Sequence, residues 1–105
     1  MRVYLKIWNL GNQIMVAVCD ENLLGKKFRD GDLKLEVKED FYGGELVPIE
    51  EGVKAVKKAM IANIVGENIV RELIKENLIV EEAVIRIAGI PHVQIVRIDL
   101  MDTRG

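Results

Sequence analysis

The chain has 105 residues, half of them apolar and 30% charged, with a formal net charge of −2. That length and apolar content suffice for one hydrophobic core in a single domain over residues 1–105, and the near-neutral balance excludes a strong overall field toward nucleic acid or an anionic membrane. With one cysteine and one histidine, neither an internal disulfide nor a Cys/His zinc centre can form, and no metal or cofactor is expected.

The opening segment "MRVYLKIW" is interrupted by Arg2 and Lys6 and does not read as a signal peptide. Its alternation, with Val3, Leu5 and Ile7 against Arg2, Tyr4, Lys6 and Trp8, predicts a strand with one buried face. Turn residues Asn9 to Asn12 and the apolar run "QIMVAVCD" complete a predicted hairpin ending near Asp20. The longest apolar stretch, Ile14 to Cys19, is far too short to span a bilayer, so no membrane partner and a cytoplasmic location are expected.

"DENLLGKKF" reads as one helical turn stopped at Gly25, and "LKLEVK" as a third strand after the turn cluster "RDGD". A loop containing "FYGGELVP" follows. From Glu50 the apolar period lengthens: Val53, Val56, Met60 and Ile64 predict a helix that bends at Asn63 and Gly66 into a second one, with Ile69, Val70, Leu73 and Ile74 on one face. Asn77 suits a left-handed terminator. "AVIRIAG" and "HVQIVRIDL" form a final hairpin joined across Gly89 to His92, and "MDTRG" is a polar tail. The order predicts an α+β fold: a mixed or mainly antiparallel sheet of about five strands, two hairpins plus one strand, with a central helix pair packed on one face.

Several familiar patterns fail on inspection. A helix-turn-helix with Gly66 as turn glycine requires apolar residues where Glu72 and Lys75 stand. The Gly25–Lys26 pair lacks the earlier glycine and the following Ser or Thr of a phosphate-binding P-loop. A thiol enzyme needs Cys19 beside His92, yet Cys19 closes an apolar strand, where free cysteines ordinarily pack as small hydrophobes. "GIPH" is first of all turn punctuation, since Gly89 and Pro91 restrict the backbone around His92.

Two surfaces remain. Arg2, Tyr4, Lys6 and Trp8 alternate cations with aromatics on one strand face, the combination that stacks bases and contacts phosphates. A loop pocket is the other, gathering Asp20, Lys26, Tyr42, Asn63 and His92 from glycine-bearing turns.

The stretches "CDENLLGK", "FYGG", "ANIVGE" and "GIPHVQ", in this order, resemble a small archaeal family known as domain of unknown function 424. The positions carrying the resemblance are Cys19, Asp20, Gly25, Lys26, Phe41 to Gly44, Asn63, Gly66, Gly89, Pro91 and His92. It implies an archaeal, cytoplasmic, single-domain α+β protein, assigns a role to no residue, and favours the loop pocket over the first-strand face. The leading expectation is a non-enzymatic binding module whose partner is RNA or a ribosome-linked protein. Its alternatives are a small enzyme or ligand-binding protein using the pocket, with His92 or Asp20 as general base, and a protein–protein adaptor, with a homodimer left open.

Overall fold

The computed structural model describes residues 1–97. The end of the expected last strand, residues 98–100, and the expected tail lie outside the described residues.

The alternating segment forms β1 (Arg2–Leu10), which turns through Gly11 and Asn12 into β2 (Gln13–Asp20), pairing antiparallel from Leu10 with Gln13 to Val3 with Asp20. A 3-10 turn at Glu21–Leu23 leads to a second hairpin, β3 (Lys27–Asp30) and β4 (Leu33–Glu36). The four-residue helix α1 (Glu39–Tyr42) and strand β5 (Glu45–Pro48) follow. Helix α2 (Ile49–Lys58), strand β6 (Ile61–Val65) and helix α3 (Glu67–Lys75) form the middle, and β7 (Ile85–Ile87) and β8 (Ile90–Val96) close the described chain.

Six strands make one sheet in the order β5-β1-β2-β6-β8-β7. Only β2 and β6 among them run parallel. The fold is therefore α+β with a mostly antiparallel sheet. Helices α2 and α3 cover one sheet face, where Val53, Val56, Ile69 and Leu73 meet Val3, Val16, Val18, Ile64 and Val93. The helical period places these residues on one stripe, and their burial against the sheet supplies most of the core. On the opposite face, α1 and the β3–β4 hairpin enclose a smaller core of Ala17, Cys19, Leu35, Val37, Tyr42 and Val65.

Two expectations are corrected, the course of the helical run and the place of the last turn. The helix pair is interrupted: Ile61–Val65 is a strand inserted between the parallel β2 and the antiparallel β8. In this central strand only Asn63 is polar, and apolar residues fall on both faces, so no period of two separates it from a buried helix. Helix α2 stops because Ala59 is extended and the Arg97 guanidinium donates to the Val56 and Ala59 carbonyls, taking up orphan acceptors of the last turn. The sheet of six strands is close to the expected five, and the short segments β3 and β5, partly charged and without a clear alternation, add to the strands outside the expectation.

The last turn is Ala88–Gly89, at φ 52° and 80°, so Pro91 and His92 lie inside β8 rather than in the loop. No cis peptide bond occurs among the described residues, and Pro91 is trans. Asn77, at φ 61°, is the left-handed terminator expected after α3.

Candidate nucleic-acid interface

Register sets three rows of side chains across the face away from α2 and α3. The first is Tyr4, Cys19, Val65 and His92; the second is Lys6, Ala17, Asn63 and Gln94; the third is Trp8, Met15, Ile61 and Val96. Paired residues on neighbouring strands point to the same face, and Tyr4, Ala17, Cys19 and Val65 all pack in the smaller core, which identifies that face. Helix α1 and the β3–β4 hairpin are laid over the first row. The third row and the far part of the second are left open, with Gln94 exposed and Val96 62% exposed.

Helix α1 is tied to β1 by side chains from the alternating strand. Trp8 Nε1 donates to the Phe41 carbonyl at 3.2 Å, and Lys6 Nζ donates to the Asp40 carbonyl at 2.7 Å. Both acceptors are carbonyls near the C-terminal end of a helix, where such donors satisfy orphan groups. The chain leaves α1 through Gly44, where a Cβ would stand 2.1 Å from the Leu5 carbonyl oxygen, so no other residue permits this approach to β1. The result is an aromatic step at the border of the open rows: Trp8 and Phe41 stack with centroids 5.7 Å apart and planes 27° off parallel, and Lys6 Nζ sits 4.6 Å from the Trp8 centroid. Tyr42 meets Phe41 edge-on at 5.0 Å.

The four first-strand residues thus have different fates. Lys6 and Trp8 join Phe41, whereas Tyr4 packs partly buried against the smaller core and Arg2 forms an ion pair with Glu21 at 2.8 Å. Phe41, Asn63 and Gln94 complete the surface. The sequence carried no signal joining Phe41 to Trp8, which are 33 positions apart.

The pocket residues are divided between the two faces. Asp20 points to the helix side, is 3% exposed, and accepts the backbone N–H groups of Asn68 at 2.8 Å and Ile69 at 3.0 Å. It is the N-terminal cap of α3, supplied from a distant strand, and Gly66 makes room for it: at φ 128°, a Cβ on Gly66 would lie 2.4 Å from the Asp20 carboxyl carbon. Burial raises the Asp20 pKa above its usual value, and the two donated hydrogen bonds partly offset this. With both oxygens engaged, the carboxylate is a structural group rather than a free base.

Asn63 and His92 lie on the opposite face in the second and first rows, and Tyr42 is buried there in the smaller core. Burial, with a smaller push from Cys19, raises the Tyr42 phenol to about 12. Burial lowers His92. The Asn63 amide touches only the Met15 sulfur, at 3.7 Å, which leaves its hydrogen-bonding capacity largely unspent. Lys26 is exposed, and its backbone joins the Leu23 carbonyl to the Val37 N–H.

Cys19 and His92 occupy one row but have Val65 between them, a separation of roughly 10 Å at the ordinary strand spacing. Burial first, then the Asp20 charge, raises the Cys19 thiol to about 12, against a lowering contribution from the Tyr4 backbone. A thiolate nucleophile is not available at neutral pH. Among the described residues no group of three or more His, Cys, Asp or Glu is placed to hold a metal ion, and no helix is long and apolar enough to cross a membrane.

A crystal structure of an uncharacterized conserved protein from Methanopyrus kandleri has the same fold, with a TM-score of 0.76 and 28% identity over 95% of this chain and 97% of that one. No curated protein matches the chain. The family described as protein of unknown function (DUF424) matches residues 9–98, a span holding every stretch on which the resemblance rested, and the chain belongs to that family.

Proposed function

We propose that the protein is a non-enzymatic module of the cytoplasm that binds single-stranded RNA, in an RNA- or translation-linked role, on the sheet face left free of α2 and α3. The observation that carries this reading is the stacked Trp8–Phe41 step beside the Asn63 and Gln94 amides. Unpaired bases stack on aromatic rings and offer their edges to amide donors and acceptors, and sheets with exposed aromatics bind two or three bases in this way. Four strands, β1, β2, β6 and β8, lie side by side here, about 14 Å from first to last at the ordinary strand spacing. That width suits a short single-stranded segment. Tyr4, packed in the smaller core, takes no part in stacking.

The test follows Trp8 fluorescence while twelve-nucleotide oligo(U) and oligo(A) are added at two salt concentrations. Saturable quenching that weakens with salt is expected, with a loss of roughly tenfold in affinity for Phe41→Ala, since stacking contributes ~1–3 kcal/mol per base. An unchanged spectrum, or equal affinity for the Phe41→Ala and Gln94→Ala variants and the parent, would refute the reading.

A further inference from the structure

The outer face of the β3–β4 hairpin carries more cations than carboxylates. In the hairpin, Phe28, Leu35 and Val37 face the smaller core. Alternation then turns Lys27, Arg29, Lys34 and Glu36 outward, three cations against one carboxylate. Glu36 stands opposite Lys27 and pairs with it at 3.7 Å, whereas Arg29 stands directly opposite Lys34. Like charges facing each other across two strands destabilise the pairing.

Neither Arg29 nor Lys34 forms an ion pair among the described residues. Three other described arginines are ion-paired, Arg2 with Glu21, Arg71 with Glu67, and Arg86 with both Glu67 and Glu81, while Arg97 donates to the Val56 and Ala59 carbonyls. A chain with more carboxylates than cations could readily have placed an acid opposite Arg29. A cavity of about 310 Å³ lies on the hairpin, lined by Lys27, Phe28, Arg29, Lys34, Leu35 and Glu36.

We infer that the outer face of the β3–β4 hairpin is a phosphate-binding surface for single-stranded RNA, with Arg29 and Lys34 as the charged contacts. The inference rests on the proposed RNA reading and moves the phosphate contacts from strand β1 to the hairpin. Lys6, assigned to phosphate by the sequence pattern, is held by the Asp40 carbonyl and the Trp8 ring. The hairpin runs into Lys38 and then α1, so one continuous stretch carries both the cations and Phe41. Arg29 offers a planar fork for two phosphate oxygens, and Lys34 adds a point charge.

The experiment measures anisotropy of a fluorescent twelve-nucleotide oligo(U) bound to the parent protein and to Arg29→Gln/Lys34→Gln, Arg29→Glu and Phe41→Ala variants over a salt series. The double variant should bind at least about tenfold more weakly, and its slope of log affinity against log salt should fall by ~1.4, or ~0.7 for each lost contact on a single strand. Arg29→Glu faces Lys34 with an opposite charge, so its melting temperature should equal or exceed the parent's while its binding falls. Loss of binding without loss of fold is the signature sought.

An unchanged salt slope in the double variant overturns the inference, and if Phe41→Ala still weakens binding the stacking reading stands without it. Weakening by the hairpin variants alone, with Phe41→Ala unaffected, leaves the hairpin assignment standing and removes the stacking platform. No binding of RNA by the parent overturns both. An equal loss of affinity for poly-glutamate, standing for an acidic protein segment, overturns the assignment to RNA.

Discussion

Replacing Asp20, on the helix side of the sheet, should destabilise the protein, because one carboxylate supplies the acceptors for the start of a whole helix. Both oxygens receive backbone N–H groups, from Asn68 and Ile69, and the Ile69 bond is buried. Losing an N-terminal cap costs ~0.5–2 kcal/mol, and a buried donor left without a partner costs ~1–3 kcal/mol, so Asp20→Ala should cost about 2–3 kcal/mol. For a domain near 100 residues each kcal/mol shifts the melting temperature by ~4–8 °C, which makes the expected fall roughly 10–20 °C. Asp20→Asn keeps one acceptor and avoids burying a charge, so its cost should be nearer 1 kcal/mol. The native pKa of Asp20 is raised, which means that the folded state binds its proton more tightly than the unfolded chain. The stabilisation from this linkage is complete below the ordinary value of 3.8 and is lost as pH rises through the higher native pKa. Thermal melts of parent and Asp20→Asn at pH 7, 5 and 4 should therefore show the parent gaining on the variant as pH falls. A gap that narrows on acidification, or an Asp20→Ala variant within ~0.5 kcal/mol of the parent, would refute this account.

Gly66→Ala places a Cβ against the Asp20 carboxyl at a positive φ, and should cost ~1–3 kcal/mol by chemical denaturation, with little further effect when combined with Asp20→Ala. Additive losses in that pair would show that the two residues do not act together. Cys19, wholly buried and with its thiol raised to about 12, should resist a thiol reagent in the native state and react only at the rate of unfolding. Rapid native labelling would place the thiol in solvent. His92 has a lowered native pKa, so the unfolded chain binds its proton more tightly, and its share of stability, present above 6.5, is lost as pH falls toward the native value. His92→Gln should flatten that part of the stability profile, and a ring-proton titration by NMR with a midpoint above 6.5 would contradict it.

Elements with strong local periodicity could be read from residues alone: the β1–β2 hairpin by its alternation, α3 by its apolar stripe, and the end of α3 by Asn77. Strand β6 could not, because apolar residues fall on both its faces with Asn63 the one polar member, and Met60 and Ile64 continue the spacing of Val53 and Val56. What separates them is tertiary, namely Arg97 closing the last turn of α2 from the far end of the chain. His92 was misplaced for a similar reason, since the turn falls on Ala88, a residue type that seldom adopts positive φ. On the strand-one face the alternation of Lys6 and Trp8 is local, whereas the burial of Tyr4 and the approach of Phe41 depend on where α1 settles. The pocket grouping failed at Asp20, because successive residues of a strand face opposite ways: Cys19 turns to one core and Asp20 to the other.

The two sides of the sheet pose different physical problems. The helix side is closed by two amphipathic helices whose stripes match the width of four strands, and its residues gain the full benefit of burial. On the other side, the cover is only a four-residue helix and a short hairpin, which reach the Tyr4–Cys19–Val65–His92 row and end there. The hairpin tip is fixed at the far edge, where Asp30 accepts the Ala88 N–H at 3.4 Å, and α1 is fixed at the near edge by Trp8 and Lys6. The cover held by these contacts does not extend over Val96, which is exposed. The same tethers set Phe41 against Trp8 at the near edge and hold the hairpin, with its cations, toward β7 at the far edge. On the proposed reading, an apolar, amide-bearing surface on the side of the sheet that also carries like charges facing each other suits a ligand that combines flat rings with negative charge, as a single strand of nucleic acid does.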